Sequence, residues 1–454
     1  METTHKVRIW TTERYKGKRK TTYRVRWVVK ARKFGESFEK AAQADAFRAR
    51  LVAATSNGEA FDIGTGLPLS MIRERNTMAW FDFACAYMDM KWPDSSPKYR
   101  KSLAGSLVTI TAAMLKSAAD EIDQKTLRKA LTSAFNKQTR DNNHPPEISG
   151  ALKAVKRLSR NVSDLSDPAV LRGVLRAIDL RVDGARAAAN TARIRRVTLG
   201  NAVEYAMERR LLETNPLREV KTKRRKSALR EVDPHAVINP MQARMLLEAV
   251  GTIGKQGPPL VAFFGLMYYA ALRPEEVANI KKTNLSLPEK GWGELHLDGA
   301  RPEINAEWTD SGTAGEEGPL KHRGENEGRI VPCPPALTEL LHEHLARFGT
   351  ARDGRLFRGA RDGGRVGSTV YGRVWATARE RVFTAEVTAG PLVKRPYDLR
   401  HAAVSTWLNS GVEATRVAKW AGHSLAILLR VYAKCLDGGE QAARERVERG
   451  LRGW

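Results

Sequence analysis

Cysteine is scarce in this chain: three residues in 454 (Cys85, Cys333 and Cys435), far apart. That is too few for a disulfide framework, and the spacing fits no zinc-ligand pattern. Reduced thiols in a cytosolic protein are the expectation. Long apolar runs are missing as well. The longest, Leu260 to Leu272, falls short of the ~20 residues that span a bilayer, so it reads as a buried helix. The first residues, METTHKVRIW, lack the apolar centre of a signal peptide. Secretion and membrane insertion are therefore not expected. Acidic residues are the third shortage. Asp plus Glu is 51 against 77 Lys plus Arg, a net charge of +26. A pI near 10.1 on a globular composition points to a polyanionic partner, most often nucleic acid. A membrane surface would need a basic amphipathic anchor or a lipidation site. A hydrophobic content of 42% excludes a wholly disordered basic chain.

The length implies about three domains at roughly 150 residues each. Residues 1–60 read as a small basic module: KVRIW, TTYRVRWVV and ARKFGESF as strands, then EKAAQADAFRARLVAA as a helix. Arg24 and Arg26 alternate with Tyr23, Val25 and Trp27, so one sheet face is basic and suited to a DNA groove. Residues 61–77, with Gly64, Gly66 and Pro68, read as a linker. Residues 78–216 are nearly all helical in pattern, with Ser96 an N-cap and Pro97 at the first helical position. Residues 217–232 form a basic connector holding Lys221, Lys223, Arg224, Arg225 and Lys226. Such a segment is drawn along a phosphate backbone. Residues 233–454 are mixed α/β but mainly helical, with GELHLD and GRIVPC as strands. The expected fold class is multidomain and mainly α with small β elements: a three-stranded sheet plus helix, a helical domain and a mixed α/β domain.

The last third concentrates the chemistry. ALRPEEV holds Arg273 and Glu276, PYDLRHA holds Tyr397, Arg400 and His401, and WAGHSLAILLRVYAK holds His423 and Tyr432. Taken singly, each has an ordinary explanation, such as a surface Arg–Glu pair at i, i+3. The ordered set resembles the tyrosine recombinases, the phage integrase family. Their signature is Arg in a Leu-Arg-x-x-Glu context, a hairpin Lys, His-x-x-Arg, Gly-His, and a Tyr near the C-terminus. The matching residues are Leu272-Arg273-Pro274-Glu275-Glu276, Lys321 ahead of Arg329-Ile330-Val331-Pro332, Tyr397-Asp398-Leu399-Arg400, Gly422-His423 and Tyr432. The match covers about residues 235–437. More loosely, residues 78–216 resemble the family's helical core-binding domain, and residues 1–60 its arm-type DNA-binding domain.

The resemblance implies a site-specific recombinase that integrates or excises a phage or mobile element through a 3′-phosphotyrosyl intermediate. Tyr432 is then the nucleophile. A tyrosine oxygen can hold the phosphodiester energy in a covalent bond. Arg273 and Arg400 are suited to grip the non-bridging oxygens, and Lys321 to protonate the leaving oxygen, although Arg323 and Arg329 are basic residues of the same stretch. His423 can donate to the phosphate or manage the tyrosine proton. Tyr397 departs from the pattern, standing where the family has His. A phenol, with a reference pKa near 10, donates a hydrogen bond but carries no positive charge. His401 follows Arg400 directly and would point elsewhere on a helix, so it is expected to back the site's residues or to support the structure; Tyr371 and Tyr397 are rival nucleophiles, and Trp407 and Trp420 are core. No cofactor or metal is expected. Duplex DNA with core-type and arm-type sites, a homo-tetramer and an accessory directionality factor are the implied partners. The implied compartment is the cytoplasm of a bacterial host. A relaxing topoisomerase of the same chemistry and a DNA-binding protein that has lost catalysis are the alternatives.

Overall fold

Tyr23, Val25, Trp27 and Val29 alternate with Arg24, Arg26 and Val28, the period of a strand with one covered face. The structure, a computed structural model, builds Thr21–Val29 as one strand, with Val25, Trp27 and Val29 buried and both arginines exposed. It describes residues 2–452 except 18–19, 76, 117–121, 221–230, 317, 319, 321–326, 360–362 and 433–439. The chain divides into two units, Met1–Arg225 and Lys226–Trp454.

The first unit opens with β1 (Thr3–Thr4), β2 (Val7–Ile9), β3 (Glu13–Lys16), β4 (Thr21–Val29), β5 (Arg32–Phe38) and helix α1 (Ala41–Ser56). β2 and β3 pair in succession along one edge of β4, and β5 lies along the other. The sheet is thus three strands wide, with its first edge made in two pieces. The helix covers the face of Trp27, which packs on Phe34 and Phe47 with centroids 5.9 and 5.5 Å away. On the uncovered face Arg24 lies against Gly35, while Arg26 pairs with Glu13.

The stretch expected to be a linker is packed instead. β6 (Phe61–Asp62) pairs with β1, and α2 (Leu69–Arg75) follows it. Phe61, Ile63, Leu67 and Met71 are buried in the same core as Trp27. The glycines and Pro68 signalled a turn correctly, but the apolar residues between them extend the module. Trp27 Nε1 donates to the Gly66 carbonyl. Gly66 has φ +73°, and a Cβ there would sit 2.4 Å from the Phe34 ring.

The helices α3 (Trp80–Lys91), α4 (Pro97–Ala113), α5 (Gln124–Ala134), α6 (Pro146–Leu158), α7 (Pro168–Asp179) and α8 (Ala189–Glu208) complete this unit. α4 packs against α3, α5, α7 and α8. Its start is the expected one: Ser96 Oγ accepts from the Tyr99 amide at 3.4 Å, and Pro97 opens the helix. α7 is an addition to the sequence reading, capped by Asp167, whose carboxylate accepts from the Ala169 amide at 2.7 Å.

The second unit runs α9 (Pro240–Gly251), α10 (Gly257–Tyr269), α11 (Pro274–Val277), β7 (Leu285–Ser286), β8 (Gly293–Leu297), β9 (Arg329–Cys333), α12 (Pro335–Phe348), α13 (Ser368–Val382), α14 (Ala385–Ala389), α15 (Asp398–Asn409), α16 (Ala414–Ala421), α17 (Leu425–Tyr432) and α18 (Glu440–Leu451). The long apolar run is α10, the central helix. Phe263, Phe264, Leu266 and Met267 are buried on all its sides, as an apolar circumference requires. It packs on α9, α12 and α15. β7, β8 and β9 form an antiparallel sheet with Leu295 opposite Val331. Helix makes up 54% of the structure, so the mainly-α expectation is correct.

Replacing Gly66 with Ala forces a left-handed φ on an L residue and drives a methyl into Phe34. The expected loss is about 2–4 kcal/mol, read as a lower urea midpoint with an unchanged slope.

Candidate active site

The sequence Arg273-Pro274-Glu275-Glu276 starts a helix by rule: Pro at the first helical position and an acid at the third. Glu276 Oε2 accepts from the Arg273 amide at 2.8 Å, and its Oε1 from Arg273 Nη1 at 2.8 Å. This is not the surface pair that the spacing alone would give. Both side chains are buried, and Arg329, at the start of β9, donates Nη1 and Nη2 to the two carboxylate oxygens at 2.8 Å each. One carboxylate thus locks the short helix α11 to the sheet through two guanidinium groups.

The same arginines hold the end of α16. Gly422 is left-handed (φ 65°, ψ 49°). The His423 amide donates to the Ala418 carbonyl at 2.9 Å and the Gly422 amide to Lys419 at 3.3 Å, the paired bonds of a Schellman cap. The next three carbonyls are taken by three different arginines. Trp420 accepts from Arg329 Nε at 3.0 Å, Ala421 from Arg400 Nη2, and Gly422 from Arg273 Nη2 at 3.0 Å. The helix C-terminus carries partial negative charge, so it draws these cations together. A Cβ on residue 422 would lie 3.2 Å from Arg329 Nη1, which makes this glycine a matter of space as well as φ.

Arg400 sits in the first turn of α15 and is fully buried. Its Nη1 donates to the carbonyl of Ala271, a residue with φ +51°. Its Nη2 also faces His423 Nε2 at 2.8 Å. A guanidinium has no acceptor, so His423 Nε2 accepts and the ring hydrogen resides on Nδ1. Among the described residues, His423 Nδ1 and Arg400 Nε are buried with no hydrogen-bond partner.

Tyr432 ends α17 with its side chain buried. Its hydroxyl lies 2.9 Å from His401 Nδ1, and its ring centroid is 6.1 Å from that of His423. The segment entering this unit is tied to the same place, since the Val232 amide donates to the Val431 carbonyl at 2.8 Å. Tyr397 precedes α15, and its ring meets that of His401 edge-on at 5.2 Å.

The structure therefore gathers Arg273, Arg400, His423 and Tyr432, with Tyr397 beside His401. Lys321 and the connector residues Lys221, Lys223, Arg224, Arg225 and Lys226 lie outside the described residues. Arg24 and Arg26 belong to the first unit, on the exposed sheet face. Tyr371 is elsewhere in the core, stacked on Phe263 at 5.0 Å. Trp407 and Trp420 pack edge-on at 5.6 Å against the core. Two members of the cluster were not assigned to it from sequence. Arg329 stood only as a basic neighbour of Lys321, and the signal that could have found it was its place at the head of a buried strand. His401 was set aside because it follows Arg400 directly. Among the described residues no three His, Cys, Asp or Glu side chains gather as a metal site would need.

Three guanidinium groups around one carboxylate leave net positive charge. Burial pushes Glu276 up, but the bonds from Arg329 and the charges of Arg329 and Arg273 outweigh it and bring it down to about 2. Burial and the neighbouring Arg273 push Arg400 down, yet a guanidinium stays charged. Burial, then Arg400 and Arg273, push His423 down to about 3. Burial pushes His401 down to about 4, against Asp398 and with Arg400 and Arg395. Both rings are neutral at pH 7.

Two outcomes follow. Replacing Gly422 with Ala costs about 1–2 kcal/mol from the φ alone, measured by urea unfolding. Stability also depends on acid. Both histidines have folded values below the unfolded ~6.5, so the unfolded chain binds more protons below that pH. Their contribution is complete above pH 6.5 and is lost as pH falls toward 4 for His401 and 3 for His423. Urea midpoints measured from pH 7 to pH 4 are expected to fall steadily, and less so in a His401→Asn variant.

No protein-family profile and no curated protein matches the sequence. Solved structures do resemble it. An integrase fragment from the Tn1549 transposon, in complex with transposon right-end DNA, superposes with a TM-score of 0.51 at 14% identity, over 82% of this chain and all of that one. A lambda integrase dimer bound to a core site gives 0.44 at 14% identity, over 97% and 96%. The XerH site-specific recombinase bound to its difH substrate gives 0.41 at 12%, over 78% and 96%. With the first of these superposing over its full length, the architecture is settled: the chain has the tyrosine recombinase fold.

Proposed function

We propose that the chain is a site-specific DNA recombinase that cuts and rejoins strands through Tyr432. The observation that carries this reading is the juxtaposition of a tyrosine hydroxyl with a buried, net-cationic arginine cluster. A buried surplus of positive charge is costly unless an anion compensates it. A phosphodiester is such an anion, and its transition state carries more negative charge than its ground state. Arg273 and Arg400 bind the non-bridging oxygens. His423, with its hydrogen on Nδ1 and that atom unpartnered, donates a third bond. Tyr432 attacks phosphorus and keeps the bond energy as a 3′-phosphotyrosyl ester, while Lys321 protonates the departing 5′ oxygen. Arg329 and Glu276 position the cluster. Tyr397 stands beside the site, its ring against His401.

The rest of the chain fits the same role. The net charge of +26 suits a polyanion. The helical residues 78–216 and the unit from residue 233 hold the core site, with the basic connector 217–232 along the backbone. The N-terminal module, with Arg24 and Arg26 exposed on one sheet face, holds a distal arm-type site. Four protomers exchange four strands, and a directionality factor selects excision of the phage or mobile element from its bacterial host. No helix among the described residues is long and apolar enough to cross a membrane.

The test is covalent trapping. Wild type and Tyr432→Phe are incubated in EDTA with nicked duplexes carrying candidate attachment sequences and run on a denaturing gel. Wild type is expected to give a 3′-linked adduct that the variant does not. An adduct from both assigns the nucleophile to another tyrosine. Tight binding by both with no adduct favours a DNA-binding protein that has lost catalysis. Arg400→Ala is expected to slow adduct formation by at least about 10²-fold.

A further inference from the structure

We propose that His401, not His423, is the base that takes the phenolic proton of Tyr432 as its oxygen attacks phosphorus. The inference rests on the recombinase reading above and goes beyond it, because the ordered signature gives His401 no role.

The geometry separates the two histidines. His401 Nδ1 is 2.9 Å from the Tyr432 oxygen, within the range for direct proton transfer. His423 presents Nε2 to Arg400 at 2.8 Å. That nitrogen is occupied by a guanidinium hydrogen, and the other already carries its own. His423 is therefore left as a donor, the role a phosphate oxygen needs. Tyr397, the other group beside the site, is a phenol and a poor base near pH 7. Its ring instead meets His401 edge-on at 5.2 Å, one helical turn away, and restricts the imidazole.

The charged and titratable groups around His401 are Asp398, Arg400 and Arg395 from its own segment, Tyr397 on the same side, Tyr432 from α17, and His423 beyond it. Burial and the two arginines keep the ring neutral, and in the tautomer with its hydrogen on Nε2, the one this role requires, Nδ1 holds the lone pair that faces the phenol. Entry of a phosphate brings negative charge and favours the protonated ring. The proton is thus more easily accepted once substrate is bound.

The step balances. The Tyr432 oxygen forms a bond to phosphorus and its proton passes to His401 Nδ1. The bond from phosphorus to the 5′ oxygen breaks, and that oxygen leaves with a proton from Lys321. Rejoining runs the same transfers backwards, with the imidazolium returning its proton to the phenol.

The test uses the full chain and saturating nicked duplexes, with single-turnover adduct formation followed from pH 4 to pH 9, a window that takes in the His401 value near 4. His401→Asn places an amide oxygen near Nδ1. It keeps an acceptor for the hydroxyl but cannot take a proton. It is expected to bind DNA as wild type does, to form adduct about 10²-fold more slowly, and to lose the acid limb of the wild-type pH profile. A purely structural role would leave that limb in place. Adduct formation by His401→Asn at the wild-type rate with the same limb overturns the proposal. If His401→Asn fails to melt cooperatively, His401→Gln is read in the same way, with the same two outcomes. Absence of any wild-type adduct on every duplex overturns the recombinase reading, and this role with it.

Discussion

A single buried carboxylate organises the candidate active site of this protein. Glu276 accepts from the backbone and side chain of Arg273 and from both terminal nitrogens of Arg329. Breaking such a pair by removing one partner typically costs 3–5 kcal/mol. Among the described residues Arg400 has no carboxylate of its own and rests on two carbonyls. One further donor from each of the three arginines goes to the end of α16, whose dipole supplies partial rather than full negative charge. The arrangement holds three cations close together without neutralising them. A second acid in the cluster would make the fold easier to assemble and the site useless to an anion.

The helix cap at Gly422 is the other half of that arrangement. A left-handed residue there turns the chain, so the carbonyls of residues 420–422 meet three arginines from three separate elements. The turn also delivers His423 to Arg400. Local backbone geometry and charge placement are therefore one feature: the glycine is needed for the cap, and the cap presents the carbonyls. Ala271 plays a comparable part on the opposite side of Arg400. It holds a left-handed φ without being glycine, at about 1–2 kcal/mol, and its carbonyl receives Nη1.

Much of this was legible in the sequence, for reasons that differ by residue. Ser96-Pro97 marks a helix start because capping is local. The strand at Thr21–Val29 shows because its burial alternates. The candidate set was legible as an ordered series of residue types at set spacings, which single residues do not provide. Arg329 was hidden because its partner, Glu276, is 53 residues away. A helical-wheel argument turns His401 away from the site. Neighbours on a helix point about 100° apart, so if Arg400 faces the site, His401 faces elsewhere. The site wraps around α15, however. Arg400 meets residues 271 and 421, while His401 meets α17 on another side. The packed segment after residue 60 was read from its glycines, whereas its apolar residues decided its fate.

The hydrogen bond from Val232 to Val431 gives the entering chain a structural meaning. Val232 lies buried in the same apolar cluster as Tyr432, one residue after the last of the basic stretch's neighbours, Glu231. The bond joins the backbone at that point to α17 at the residue next to the tyrosine. The segment entering the unit and the hydroxyl that faces His401 are thus seated in one apolar cluster, so the start of the unit and its candidate nucleophile share a single packing environment.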